Sequence, residues 1–185
     1  MTQTTKAQVI LAPSLEPIRA NNKTVFLAGS TNNDDAKDEL DWRAFITDSL
    51  ADIPDLTIIN PYRPDWDNWR EDETFDPFVE QVNWELDMLD CADLIVVYFH
   101  PDTVASISML EFGLNARGSS KNIPQQHIIC CPDGYFKKGN VAIVCKRLGI
   151  ELVESDDELR DAIVEKLCLA DVDSSSDVNS LYTRG

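Results

Sequence analysis

The run Cys91-Ala92-Asp93-Leu94-Ile95-Val96-Val97-Tyr98-Phe99 leads, after a short link, into Ser108-Met109-Leu110-Glu111-Phe112-Gly113. An apolar, β-branched stretch bounded by polar residues and followed by a helical pattern reads as a buried parallel strand feeding the ligand edge of an α/β sheet. Over 103–117 the spacing predicts a helix with Ile107, Leu110 and Leu114 as its apolar stripe, and Glu111 lies among them. A carboxylate on that stripe either covers core or faces a cavity, because burying it unpaired is costly.

Working outward, Thr24 to Ala28 reads as a first strand stopped by Gly29-Ser30. Trp42, Phe45, Ile46, Ser49, Leu50 and Ile53 recur at helical spacing and predict a helix over 38–53. Leu56 to Asn60 is a short strand; Phe78, Val82, Leu86 and Leu89 mark a helix from about Pro77 to Asp90. Beyond the strand at 93–99 and a helix near 104–117 come a strand at 126–131, a helix at 138–148, a strand at 150–153 and a helix at 156–168. Ser155 and Glu158 have the spacing of a capping box for the last helix. This alternation predicts an α/β three-layer sandwich with a mostly parallel five-stranded sheet. Residues 1–22, with Pro13 and Pro17, read as an extended N-terminal arm, 23–169 as the α/β domain, and 170–185 as a disordered acidic tail.

Ligands of such sheets bind beyond the carboxyl ends of the strands, where the winding reverses. Those ends are Gly29-Ser30, Asn60-Pro61, Phe99-His100 and Cys131-Pro132. Asp93 stands at the opposite end, where turn or capping work is expected of it.

With 185 residues, 43% of them hydrophobic, the chain can bury one core. A formal charge of −17 argues against nucleic acid polymers and anionic membranes as partners, since phosphate binding is driven by Lys and Arg. No apolar run approaches the roughly 18 residues of a membrane span, and the start of the chain lacks the order of a secretion signal. A soluble, cytoplasmic protein is expected. Its five cysteines, without a CxxC, read as free thiols and not as a disulfide framework or zinc site. No metal or other cofactor is expected.

Val25-Phe26-Leu27-Ala28-Gly29-Ser30, Asn60-Pro61, Asn83-Trp84-Glu85, Ala92-Asp93-Leu94-Ile95 and Leu110-Glu111-Phe112-Gly113 occur in that order. In this the chain resembles the nucleoside 2-deoxyribosyltransferases, most closely their divergent nucleoside 2-deoxyribosyltransferase-like branch, over roughly residues 23–146. The resemblance implies a flavodoxin-like fold. It also implies exchange of the base on a 2-deoxynucleoside through a glutamate nucleophile by double displacement, and a homo-oligomer. Glu111 occupies the nucleophile's position, and Glu85 that of a carboxylate working near the base.

The chemistry of the residues agrees. Retaining cleavage of an N-glycosidic bond needs one carboxylate to attack the anomeric carbon and another group to protonate the departing base. Glu85 borders the apolar stripe of its helix and suits the general acid/base role. Two positions depart from the family pattern. Ala105 stands where many members have an acid that holds the sugar, and Phe26 stands where many have a tyrosine that orients the nucleophile. Tyr98 is the hydroxyl on offer for the second role, and Asp102, Ser106 and Ser108 for the first.

Tyr62, Trp66 and Trp69 lie in one loop interleaved with Asp and Asn. Such rings either stack a nucleobase or pin the loop and fill an interface. Gly29-Ser30-Thr31-Asn32-Asn33 has the look of a phosphate loop, but the Asp and Glu that follow favour a neutral nucleoside. Two alternatives stand beside transfer: an N-glycoside hydrolase acting on a nucleoside or nucleotide, and a nucleoside-binding protein without turnover.

Overall fold

The computed structural model of the chain describes residues 6–30, 41–63, 69–116 and 125–173. Its strands are β1 (Gln8–Leu11), β2 (Lys23–Gly29), β3 (Leu56–Asn60), β4 (Leu94–Tyr98), β5 (Gln126–Cys130) and β6 (Glu151–Val153). Its helices are α1 (Trp42–Ser49), α2 (Asp76–Cys91), α3 (Ser106–Asn115), α4 (Lys138–Leu148) and α5 (Asp156–Asp173). The strands form one all-parallel sheet in the order β1-β3-β2-β4-β5-β6, the flavodoxin-like winding with one strand added at its edge.

That added strand corrects the expected count of five. It falls in the stretch read as an arm and pairs with β3 from Gln8↔Thr57 to Leu11↔Asn60. Four residues give too little period to read, and the anchor is polar. Buried Gln8 accepts from Thr57 Oγ1 at 3.0 Å and from the Arg19 amide at 2.9 Å, and its Nε2 donates to Glu16 and to the Pro17 carbonyl.

Alternate strand residues point to opposite faces. Val25, Leu27, Val96 and Ile128 pack with Trp42 and Ile46 of α1 and Leu159 and Ile163 of α5. Phe26, Ala28, Ile95 and Val97 pack with Trp84 and Leu89 of α2, Phe112 of α3 and Val141 of α4. Trp84 is thus core, and its Nε1 donates to the Ser14 carbonyl at 2.9 Å to tie the N-terminal segment across α2. Ahead of α5, Ser155 Oγ accepts the Glu158 amide at 3.3 Å. The Glu158 carboxylate turns to the amide of Glu154, one residue before the partner a capping box would use. Helix α5 runs past its expected end at 168, and 174–185 lie outside the described residues. Cys130, Cys131 and Cys145 are buried free thiols, whereas Cys91 is exposed. No helix among the described residues is long and apolar enough to cross a membrane.

Helix α3 departs most from expectation. The stripe Ile107, Leu110 and Leu114 faces out, at 58%, 57% and 61% exposure, and the buried line is Ser108 and Phe112 with Ala105, Met109 and Ala116 packed beside it. A helix apolar on two sides offers two readings of its inner face, and Phe112 decides it by meeting Phe99 edge-on. Glu111 stands on the flank between the two lines.

The winding reverses between β2 and β4. There the ladder runs to Gly29↔Tyr98, while on the other side of β2 the pairing with β3 stops at Phe26↔Ile59. At the far end Asp93 clamps the strand entries, its Oδ2 accepting from Thr24 N at 2.8 Å and Thr24 Oγ1 at 3.0 Å, as expected of a capping residue. Gly29 sits at φ +139°, where an added Cβ would lie 2.6 Å from the backbone N and O of Tyr98. Gly29→Ala is therefore expected to cost about 2–4 kcal/mol, through backbone strain and the collision, in a urea unfolding titration.

Candidate active site

Past the end of the β2–β3 ladder, the carbonyls of Leu27 and Gly29 need donors other than strand β3. Arg43 supplies them. It follows Trp42 at the start of α1, where Asp41 caps the helix by accepting the Arg43 amide at 3.2 Å. Its Nε donates to Leu27 O at 3.0 Å and its Nη2 to Gly29 O. The guanidinium carbon lies 4.6 Å from the Trp42 ring centroid, and that ring stacks on Tyr98 at 4.8 Å. A cation is thus buried at the mouth of the crevice. Burial lowers its pKa from the ordinary arginine value, and the charges of Asp41, Glu85 and Glu111 pull it back up, with Tyr62 also close by. Those groups come from α1, the β3–α2 loop, α2 and α3, so the cation marks where the elements converge.

Glu85 reaches this point from α2. Four residues earlier, buried Gln81 donates through Nε2 to the Pro61 carbonyl at 2.9 Å and to Glu85 Oε1 at 2.7 Å. The amide fastens the carboxylate to the end of β3. Burial raises the Glu85 pKa, and the Gln81 bond and the Arg43 charge offset part of that. Glu111 comes from α3 and is pushed up to about 7, first by burial and then by the charge of Glu85, with Arg43 acting the other way. Two partly buried carboxylates within electrostatic reach of each other titrate as a pair. In such a pair the charge of one member disfavours ionisation of the other, which suits one to attack while the other donates.

The remaining candidates divide. Ser30 ties the crevice wall: its Oγ lies 2.7 Å from Thr103 Oγ1 and accepts the His100 amide at 3.1 Å. Asn60 Oδ1 accepts the Tyr62 amide at 3.0 Å and shapes the turn after β3. Tyr62 is half exposed and within reach of Arg43. Trp69 is held between Arg63, 4.2 Å from its ring, and Phe75, edge-on at 6.0 Å, so it helps pin its loop. Trp66 and 31–33 lie outside the described residues. Tyr98 stacks on Trp42 on the α1/α5 side of the sheet, the side away from α3. Asp102 and Ser106 are exposed and Ser108 is buried. Ala105, where the resemblance leads one to expect an acid, is the left-handed N-cap of α3, with φ 49° and ψ 41°.

Arg43 and Gln81 were not among the residues expected here. An arginine early in an amphipathic helix reads as solvated, and only the short β3 ladder explains its burial. Gln81 did leave a trace, since Gln and Glu at i and i+4 share a helix face. Burial raises the thiols of Cys130, Cys131 and Cys145, which makes them poor nucleophiles. A cavity of about 370 Å³ opens at the opposite end of the strands, lined by Lys6, Arg19, Asn22 and Asp55, and contains no carboxylate pair.

The family model described as nucleoside 2-deoxyribosyltransferase like matches residues 22–135, a stretch that contains β2 through β5 with Arg43, Gln81, Glu85 and Glu111. No curated protein matches the chain.

Because the Glu111 carboxyl titrates higher in the folded chain than its ordinary value of 4.5, the folded state binds more protons between that pH and about 7. Stability from this group is full below about 4.5 and is lost as pH rises through 7. Glu111→Gln should accordingly be more stable than the parent by about 1–3 kcal/mol at pH 8, with the gap closing towards pH 4.5, in denaturant titrations across that range.

Proposed function

The chain belongs to the nucleoside 2-deoxyribosyltransferase-like family, and from that premise we propose that it cleaves the N-glycosidic bond of a (2-deoxy)nucleoside and transfers the sugar by double displacement. Membership carries the general chemistry, glycosyl transfer on nucleosides. The observation that supports the finer reading is the pairing of Glu85 and Glu111 around Arg43 at the winding reversal of the sheet.

In the first step, from the state of the pair in which Glu85 holds the proton, the Glu111 carboxylate attacks the anomeric carbon. The bond to the base nitrogen breaks, its electron pair leaves with the base, and Glu85 delivers the proton that neutralises it. A glycosyl ester on Glu111 results. In the second step an acceptor base attacks the same carbon and gives its proton to Glu85, and the ester bond breaks to restore the Glu111 carboxylate. Two inversions yield retention. The Gln81 bond aims the Glu85 carboxyl, and burial raises its pKa towards that of a proton donor.

Around this pair, the backbone at Gly29 and Ser30, with Asn60, Asp102, Ser106 and Ser108, offers polar contacts to the sugar. Tyr62 offers a half-exposed ring to the base, with Trp66 and Trp69 of the same loop as the further rings proposed to contact it. With Ala105 in place of an acid, the sugar hydroxyls fall to the serines of α3.

A chromatographic assay with 2′-deoxynucleosides, ribonucleosides and their 5′-monophosphates, each with and without a second free base, tests the reading. A new nucleoside appearing only with the acceptor is expected. Glu111→Gln, folded, should lose at least about 10³-fold in rate. Base release without an acceptor would assign hydrolysis. Ligand-induced stabilisation without turnover would assign a binding protein.

The same reading places a second copy of the chain on the outer face of α3. Ile107, Leu110 and Leu114 are each more than half exposed and follow one another at helical spacing beside Glu111, and Val104 just ahead of the helix is exposed as well. A homo-oligomer formed there would cover the apolar line and shield the site from water. Sedimentation is expected to show an oligomer that Leu110→Asp converts to monomer, with the fold retained.

A further inference from the structure

Arg43 is 5% exposed, yet its hydrogen-bond partners are neutral backbone carbonyls. Among the described residues it makes no direct ion pair, and Asp41, the nearest acid in sequence, turns an oxygen to the backbone of α1. Of the five N–H groups that a guanidinium carries, two are spent on Leu27 and Gly29. Taking a cation out of water without compensation is costly, so negative charge must act on it from further away. Asp41 does so first, and two glutamates on different helices, Glu85 and Glu111, add to it.

We infer that Arg43 is a positioning residue for the glutamate pair: locked by the carbonyls at the end of β2, its guanidinium compensates one of the two negative charges, so that one carboxylate is ionised while the other keeps its proton. The inference rests on the glycosyl-transfer reading for its consequence in catalysis, but not for its geometry. Arginine suits the task where lysine would not. Leu27 O and Gly29 O lie on one side of the strand and match a planar fork, and a guanidinium keeps its proton even when buried. The groups facing the cation are Asp41 from α1, Tyr62 from the β3–α2 loop, Glu85 from α2 and Glu111 from α3. His100, at the end of β4, accepts the Asp102 amide through Nδ1 at 3.2 Å.

Removing the cation makes both carboxylates harder to ionise, so their midpoints rise and a bell-shaped pH–rate profile moves to higher pH as a whole. Glutamate labelled with carbon-13 at the carboxyl group reports those midpoints by NMR without any turnover, with Glu85→Gln and Glu111→Gln assigning the signals. In Arg43→Met the midpoints are expected to rise by about one pH unit or more. In the double variant Arg43→Met with Glu85→Gln, the Glu111 midpoint should fall back towards the parent value. Arg43→Gln, still able to donate to a strand carbonyl, gives the same readout if the methionine variant does not fold.

Midpoints unchanged in a folded charge-removing variant would overturn the inference. If the protein turns no nucleoside over but the midpoints move, the charge compensation stands and the transfer reading fails.

Discussion

Two carboxylates held partly out of water beside one guanidinium cannot both be ionised at low cost, and the arrangement at the top of this sheet follows from that constraint. Strand β2 outruns its ladder with β3, and the carbonyls left over at Leu27 and Gly29 draw in Arg43 from α1. The buried cation in turn makes a place for Glu85 and Glu111, which arrive on helices from the other face of the sheet. A strand that ends early therefore defines the crevice, anchors its charge and sets the protonation state of the pair.

The site trades stability for readiness. A glutamate whose carboxyl is pushed up to about 7 destabilises the folded chain at neutral pH relative to an amide of the same shape. Arg43 limits that penalty by supplying charge that water would otherwise supply. Gln81 limits it further by giving Glu85 a fixed donor. Preorganised donors and charges of this kind cost little reorganisation during the reaction, which is why they suit a site where a carboxylate must gain and lose negative charge in each half-cycle.

Much of the sheet was legible because its strands are apolar runs of the right length between turn residues, and the αβ alternation leaves few ways to wind them. Strand β1 escaped notice because its four residues are held by the side chain of Gln8, not by an apolar period. The face of α3 was misread for a different reason. Ile107, Leu110 and Leu114 make a better stripe than Ser108 and Phe112, and only packing against Phe99 shows which line turns inward. Glu111 and Glu85 were recognisable as carboxylates at the edge of a stripe. What brings them to one cation is the relative length of two ladders and the reach of a long side chain from a third element. Local periodicity carries no record of either.

The most direct test of the central claim, that Glu111 carries the sugar between bases, is mass spectrometry of the protein quenched during reaction with a 2′-fluoro nucleoside, whose substituent slows release of the sugar. The account predicts one equivalent of base released and a pentosyl ester mapped to the peptide containing Glu111. Base release with no ester on the protein, or an ester on a different carboxylate, would contradict it.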